Sequence, residues 1–346
     1  MNIKRILLSA ALSVGMLLSA AGCSGTGSSS GNVEDLTFAD GDKIAVIEIK
    51  DYGTVKAKLF PDIAPIGVEN FIQLAEQGYY NGLKIHRVIK DGVIQGGSLN
   101  GDGTGGAAAY VGEVDERMET LPTSFPIEVS EKARHFYGAL AYVADEYGNC
   151  ATQFYIVDNK TPQDLTKIDA AKIQAKADEI AQEAAAATWE ADSSDAKANS
   201  YLQSYYGNHA KFMSAKDKAV IDKYAKVGGL YQIDGGYTVF GQVFEGFDVI
   251  DSISSAEVET NAYGEKSMPV KDIIISSVTI ETYSAGTAEA EDDKSSGGKN
   301  ESKQEDSSAG QATSEAGGTA DAAGSGAAEK QTGEAISTID TVDAAA

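Results

Sequence analysis

A chain of 346 residues has room for one large domain or two modest ones. Its 52 acidic side chains against 28 basic ones give a formal charge of −24, which repels nucleic-acid phosphates and disfavours electrostatic attraction to an anionic membrane surface. With only two cysteines, Cys23 and Cys150, the fold must rest on its core rather than on a disulfide framework.

The elements begin with a targeting pattern. Lys4 and Arg5 form a positive region, and Ile6 to Leu18 is an apolar run of about a dozen residues, short for a membrane span. Ser19-Ala20-Ala21-Gly22-Cys23 follows, small residues directly before a cysteine, which resembles a bacterial lipobox. Residues 1–22 are therefore expected to be a lipoprotein signal peptide, with Cys23 as the lipidation site. Residues 23–36, rich in Gly and Ser, are expected to be a flexible tether holding a folded body at the extracytoplasmic face of the cell membrane.

Regular periodicity starts at Lys43. Ala45, Ile47 and Ile49 alternate along one strand and Val55, Ala57 and Leu59 along a second, with Asp51-Tyr52-Gly53 turning between them: a β-hairpin. Ala64 to Gln77 carries Val68, Phe71, Ile72 and Ala75 at helical spacing and stops at Gly78. Short strands are predicted at 84–89, 93–95, 138–143, 153–157, 238–244 and 273–280, with a short helix at 247–253. Many short strands between turn residues and few helices predict a mainly β, closed or nearly closed antiparallel barrel. A segment from about 160 to 228, rich in Ala, Lys, Glu and Gln and containing Trp189, reads as a helical insertion. The acidic, low-complexity tail, 284–346, has no aromatic side chain and is expected to be disordered.

The richest stretch chemically is KIHRVIKDGVIQGGSLNGDGTGG, residues 84–106. Gly101-Asp-Gly-Thr-Gly-Gly106 matches a dinucleotide fingerprint, but no apolar strand leads into it and no helix is predicted after it, so it reads as a turn where backbone packs closely. His86, His135 and His209 lack partners at metal-ligand spacing, so no metal or cofactor is expected. His86, between apolar residues, reads as a hydrogen-bonded structural histidine. Cys150 has no histidine near it in sequence. Arg87 alternates with Ile85 and Ile89. A cation there must pair, reach solvent or serve a site, because burying it alone is costly.

Taken together, Pro65–Phe71, Gly78–Gly82, Ile85–Ile89, Gln95–Gly97, Gly103–Gly106, Gly138–Leu140, Gln153–Ile156 and Asp234–Val243 resemble the cyclophilin pattern in order and approximate spacing. The resemblance spans roughly residues 40–282 apart from the insertion. It implies an eight-stranded antiparallel barrel capped by two helices, with a cyclophilin-like domain over 37–283. It also implies peptidyl-prolyl cis/trans isomerisation. Arg87 would be the catalytic donor, and Gln95, Val93, Val143, Ala144, Gln153, Tyr155, Ile233 and Tyr237 would bind the substrate. The implied partners are proline-containing segments of unfolded or exported proteins, met by a monomer.

Several positions depart from that pattern. Gly92 stands where the family has an aromatic, Val93 where Met is common, Ala144 where Asn is frequent, and Gln232 where Trp or His is typical. Loss of a pocket Phe removes ~1.5–3 kcal/mol of apolar burial unless loops or the insertion fill the gap. These departures keep open a second reading, a cyclophilin-like peptide-binding or chaperone module with little turnover. A third, a two-lobed solute-binding lipoprotein, lacks the alternating strand–helix units it would need.

Overall fold

The computed structural model describes residues 36–109, 123–186, 193–215 and 217–284. Cys23, Trp189 and the tail beyond Ser284 lie outside them. Twelve short strands and five helices follow in chain order: β1 Lys43–Ile49, β2 Gly53–Leu59, α1 Pro65–Glu76, β3 Lys84–Ile85, β4 Arg87–Val88, β5 Val93–Gly96, β6 Phe125–Pro126, β7 Ala139–Ala144, β8 Asn149–Val157, α2 Ala170–Ala186, α3 Ser194–Ser214, α4 Lys218–Val227, β9 Val239–Glu245, α5 Phe247–Ser254, β10 Val258–Thr260, β11 Lys266–Pro269 and β12 Ile273–Thr282.

Ten strands form one antiparallel sheet in the order β3-β12-β1-β2-β9-β7-β8-β5-β4, with β6 paired to β8. The two ends of that order are neighbours in the chain. The single strand predicted over 84–89 is split at His86: Lys84–Ile85 pair with β12, and Arg87–Val88 pair with β5. This change of partner nearly closes the sheet into a barrel. Counting β3 and β4 as one stave and setting β6 aside leaves eight staves.

The predicted hairpin is β1–β2, in register from Ile44↔Lys58 to Ile49↔Gly53, with Asp51 at φ 65° in the turn. Helix α1 starts at Pro65, where proline's missing N–H costs nothing. The Glu128 carboxylate accepts from the N–H groups of Ile66 and Gly67, at 3.1 and 2.8 Å, satisfying donors that a helix start leaves open. Its buried face sets Phe71 against Tyr80, Phe154 and Phe240. Those rings, with Tyr142 stacked on Phe240 and with Ile47, Val55 and Leu59, form the core.

The segment after β8 is helical. Ile173 and Ala177 of α2 pack on Ala210, Phe212 and Met213 of α3. Ser193 and Asp217 cap the starts of α3 and α4. Tyr201 and Tyr205 of α3 instead join the barrel's own hydrophobic cluster. The β10–β11 hairpin had no counterpart among the predicted elements.

Candidate active site

Strand pairing sets one row of side chains across the sheet. Arg87 lies opposite Gln95, Gln95 opposite Tyr155, Tyr155 opposite Ala141, and Ala141 opposite Val239. Partners in register point to the same side, and so do positions two apart, so Val93, Gln153 and Val143 share that face. It is the face opposite Phe154 and the α1 rings.

The polar members of the row form a chain. Arg87 Nη1 donates to Gln95 Oε1 at 3.2 Å, Gln95 Nε2 to Gln153 Oε1 at 3.0 Å, and Gln153 Nε2 to the Gly103 carbonyl at 3.0 Å. The glycine-rich stretch is thus a scaffold that delivers a backbone acceptor. Gly106, at φ 106°, lies so close that an added Cβ would sit 2.2 Å from Thr152 Oγ1. No helix follows it: residues 104–109 are irregular.

Arg87 is only 5% exposed, and its charge is met by Glu265. Nε donates to Oε2 at 2.7 Å and Nη2 to Oε1 at 2.8 Å, a two-pronged pair that fixes the guanidinium plane. Partial burial raises the Glu265 pKa, but the bonds from Arg87 and Ser267 and the Arg87 charge outweigh it and leave the carboxyl below its ordinary 4.5. Glu265 is held in the β10–β11 turn by Asn261, whose side-chain oxygen accepts from the Glu265 N–H at 3.0 Å. No sequence spacing links Glu265 to Arg87, because the two are 178 positions apart.

His86 differs from its expected role. Its ring nitrogens are sealed from solvent and make no well-formed hydrogen bond among the described residues. Burial first, then the adjacent Arg87 charge, push its pKa down to about 4, so it is neutral at physiological pH. Cys150 is fully buried, and burial pushes its thiol well up, out of the range of a reactive thiolate.

Of the expected pocket residues, Tyr155 and Tyr237 meet edge to face at 6.2 Å, and Val93, Val143 and Ile233 are buried within the barrel's large hydrophobic cluster. Ala144 sits past a bulge in β7, opposite Cys150. Gly92 has a local cause: a Cβ there would lie 2.8 Å from Ile89 Cγ2 in the turn between β4 and β5. Tyr155, in a position the family gives to Phe, meets the His135 Nε2 with its hydroxyl at 3.0 Å. His135 Nδ1 lies 2.9 Å from Asp234 Oδ1, and Asp234 Oδ2 accepts from Tyr224 at 2.8 Å. Asp234 thus links His135, and through it Tyr155, to Tyr224. All of these pocket side chains are under 4% exposed, so the face is covered.

The family model described as "Cyclophilin type peptidyl-prolyl cis-trans isomerase/CLD" matches residues 44–175 and 202–280. The chain is 30% identical over 245 residues to "Putative peptidyl-prolyl cis-trans isomerase" of Staphylococcus saprophyticus, covering 70% of this chain and 95% of that one. It is 29% identical over 240 residues to the protein of the same name from Staphylococcus aureus USA300, covering 69% and 92%. A solved cyclophilin-type isomerase from Cryptosporidium parvum superposes with a TM-score of 0.44 at 18% identity, covering 70% of this chain and 99% of that one. The chain belongs to the cyclophilin-type peptidyl-prolyl cis-trans isomerase family.

Proposed function

We propose that this protein catalyses cis/trans isomerisation of X-Pro bonds, with Arg87 as the donor to the substrate. The observation that carries the reading is the buried Arg87–Gln95–Gln153 chain, in cross-strand register with Tyr155. Rotation about the peptide bond meets a barrier of roughly 18–20 kcal/mol from amide resonance. No bond is broken, so neither nucleophile nor proton shuttle is required. In the twisted state the prolyl nitrogen becomes pyramidal and regains a lone pair. A guanidinium N–H aimed at it stabilises that state more than either planar one, and each tenfold acceleration needs about 1.4 kcal/mol. Gln95 and Gln153 hold the guanidinium and the peptide backbone, and Val93, Val143, Ala144, Tyr155, Ile233 and Tyr237 form the wall for the proline ring. A two-dimensional exchange measurement on an Ala-Pro peptide with the full chain and its Arg87→Ala variant tests this. Catalysis that collapses in the variant supports the reading. A folded parent that binds the peptide without speeding exchange replaces it with the binding module, a reading supported by Gly92, Ala144 and Gln232 at positions where the family pattern differs.

We also propose that the protein works on exported chains while lipid-anchored through Cys23. Support comes from the small residues preceding that cysteine and the apolar run before them. Outside the cytoplasm, slow proline steps leave unfolded chains exposed to aggregation. Intact-mass analysis of the membrane fraction, with Cys23→Ala released into the soluble fraction, tests the anchor.

A further inference from the structure

The residues expected to receive proline are buried, and α3 docks on the 232–236 turn. Tyr201, Tyr205 and His209 are spaced four apart and so lie along one side of the helix. Tyr201 Oη donates to the Gly236 carbonyl at 3.0 Å, Tyr205 Oη to the Gln232 carbonyl, and His209 Nδ1 lies 2.9 Å from the Asp234 carbonyl. One stripe of α3 therefore engages three alternate carbonyls of the 232–236 turn. That turn carries Ile233 and leads into Tyr237, both expected in the pocket.

Close approach depends on two glycines. A Cβ on Gly236 would fall 1.8 Å from the Tyr205 ring, and one on Gly148 would fall 2.6 Å from the Tyr201 ring. Tyr201 thus lies between the β7–β8 turn and the 232–236 turn. Its hydroxyl sits on the carbonyl that leads directly into the expected pocket residue Tyr237. Gln232, where the family pattern has Trp or His, lies under Tyr205. The family match stops at 175 and resumes at 202, so Tyr201 falls just outside it and Tyr205 and His209 inside.

We propose, building on the isomerase reading, that α3 is the cover of the prolyl pocket, and that Tyr201 and Tyr205 decide peptide entry because a substrate must displace them. The cover is released by losing one aromatic stripe and a few hydrogen bonds, since α3 keeps its separate contact with α2 through Ala210, Phe212 and Met213. A site that is competent only when open binds more weakly by the fraction of time it is open. Weakening the cover therefore strengthens peptide binding.

The test uses the full chain and a fluorescein-labelled Ala-Ala-Pro-Phe peptide, read by anisotropy. Tyr205→Phe removes one hydroxyl and keeps the ring; Tyr201→Ala removes a ring. Binding should tighten a few-fold in the first and about tenfold in the second, with kcat/KM rising in proportion. Folded variants that bind no more tightly than the parent overturn the proposal. Should Tyr201→Ala fail to fold, Tyr205→Phe and Tyr201→Phe decide it by the same criterion. Arg87→Ala in each background separates the two readings. Tighter binding with no isomerisation by any protein sinks the isomerase reading and leaves the cover standing. Arg87-dependent isomerisation with binding unchanged by the tyrosine variants sinks the cover alone.

Discussion

Both carboxylate oxygens of Glu265 lie against one edge of the Arg87 guanidinium, 2.7 Å from Nε and 2.8 Å from Nη2. Gln95 takes a third donor, at Nη1. The ion pair leaves the guanidinium little freedom to turn about its long side chain. Glu265→Gln keeps the shape, loses the charge and turns an amide N–H₂ or a single oxygen toward a cation. With Glu265 partly exposed, the loss should be ~1–3 kcal/mol in chemical denaturation. The contribution has a pH signature. Because the folded Glu265 pKa is depressed, its stabilisation is complete above 4.5 and fades as pH falls through the lower folded value. Glu265→Gln should lack that acid-side decline. A variant that unfolds with the parent's stability and pH profile would show the pair to be energetically idle.

Arg87→Lys retains charge but not the fork. A lysine ammonium cannot engage Glu265 side-on while also reaching Gln95. Removing a donor of this kind costs about 10²–10³ in kcat where it acts on the transition state. Turnover of a prolyl peptide by Arg87→Lys should fall into that range with KM little changed. Activity within twofold of the parent would mean that charge alone suffices.

His86 and Asp158 should oppose each other in acid. The folded pKa of His86 is lowered from 6.5 to about 4, so the unfolded chain takes up the proton first and stability falls as pH drops from 6.5 to 4. Asp158 is raised from 3.8 to about 6, chiefly by burial, so the folded chain takes up that proton first and stability rises over nearly the same range. Each effect is on the order of 3 kcal/mol, and their slopes largely cancel. Asp158→Asn should expose a loss of stability on acidification, and His86→Phe a gain. Urea titrations at pH 4.5, 5.5 and 6.5 would show it; parallel profiles for both variants would refute the opposition.

Gly106→Ala addresses the glycine stretch. The residue has φ 106°, and the new methyl would meet Thr152 Oγ1 and the Tyr79 hydroxyl, which hydrogen-bond each other at 3.2 Å. A loss above the ~1–3 kcal/mol of backbone strain alone is expected, because the methyl also clashes. Gly82→Ala, also at positive φ but with open space around it, should lose less. Equal losses would mean that strain alone, and not the seat on Thr152, sets the cost.

Much of the barrel was legible because its strands obey a period of two and its helix a period of three to four. The hairpin from Lys43, the helix at 65–76 and the strands carrying Gln95, Gln153 and Val239 follow from alternation, from proline at a helix start and from glycine at its end. The row of Arg87, Gln95 and Gln153 was legible only through the family pattern. Composition and spacing could mark Arg87 as a cation needing a partner, but could not name that partner. Tertiary structure decided that Glu265 is the partner, that His86 breaks one strand into two with different neighbours, and that Tyr201 and Tyr205 dock on the 232–236 turn. The reason is the same in each case. Local periodicity is written in neighbouring residues, whereas an ion pair across 178 positions, a change of strand partner and the docking of a helix onto two glycines depend on closure of the whole sheet.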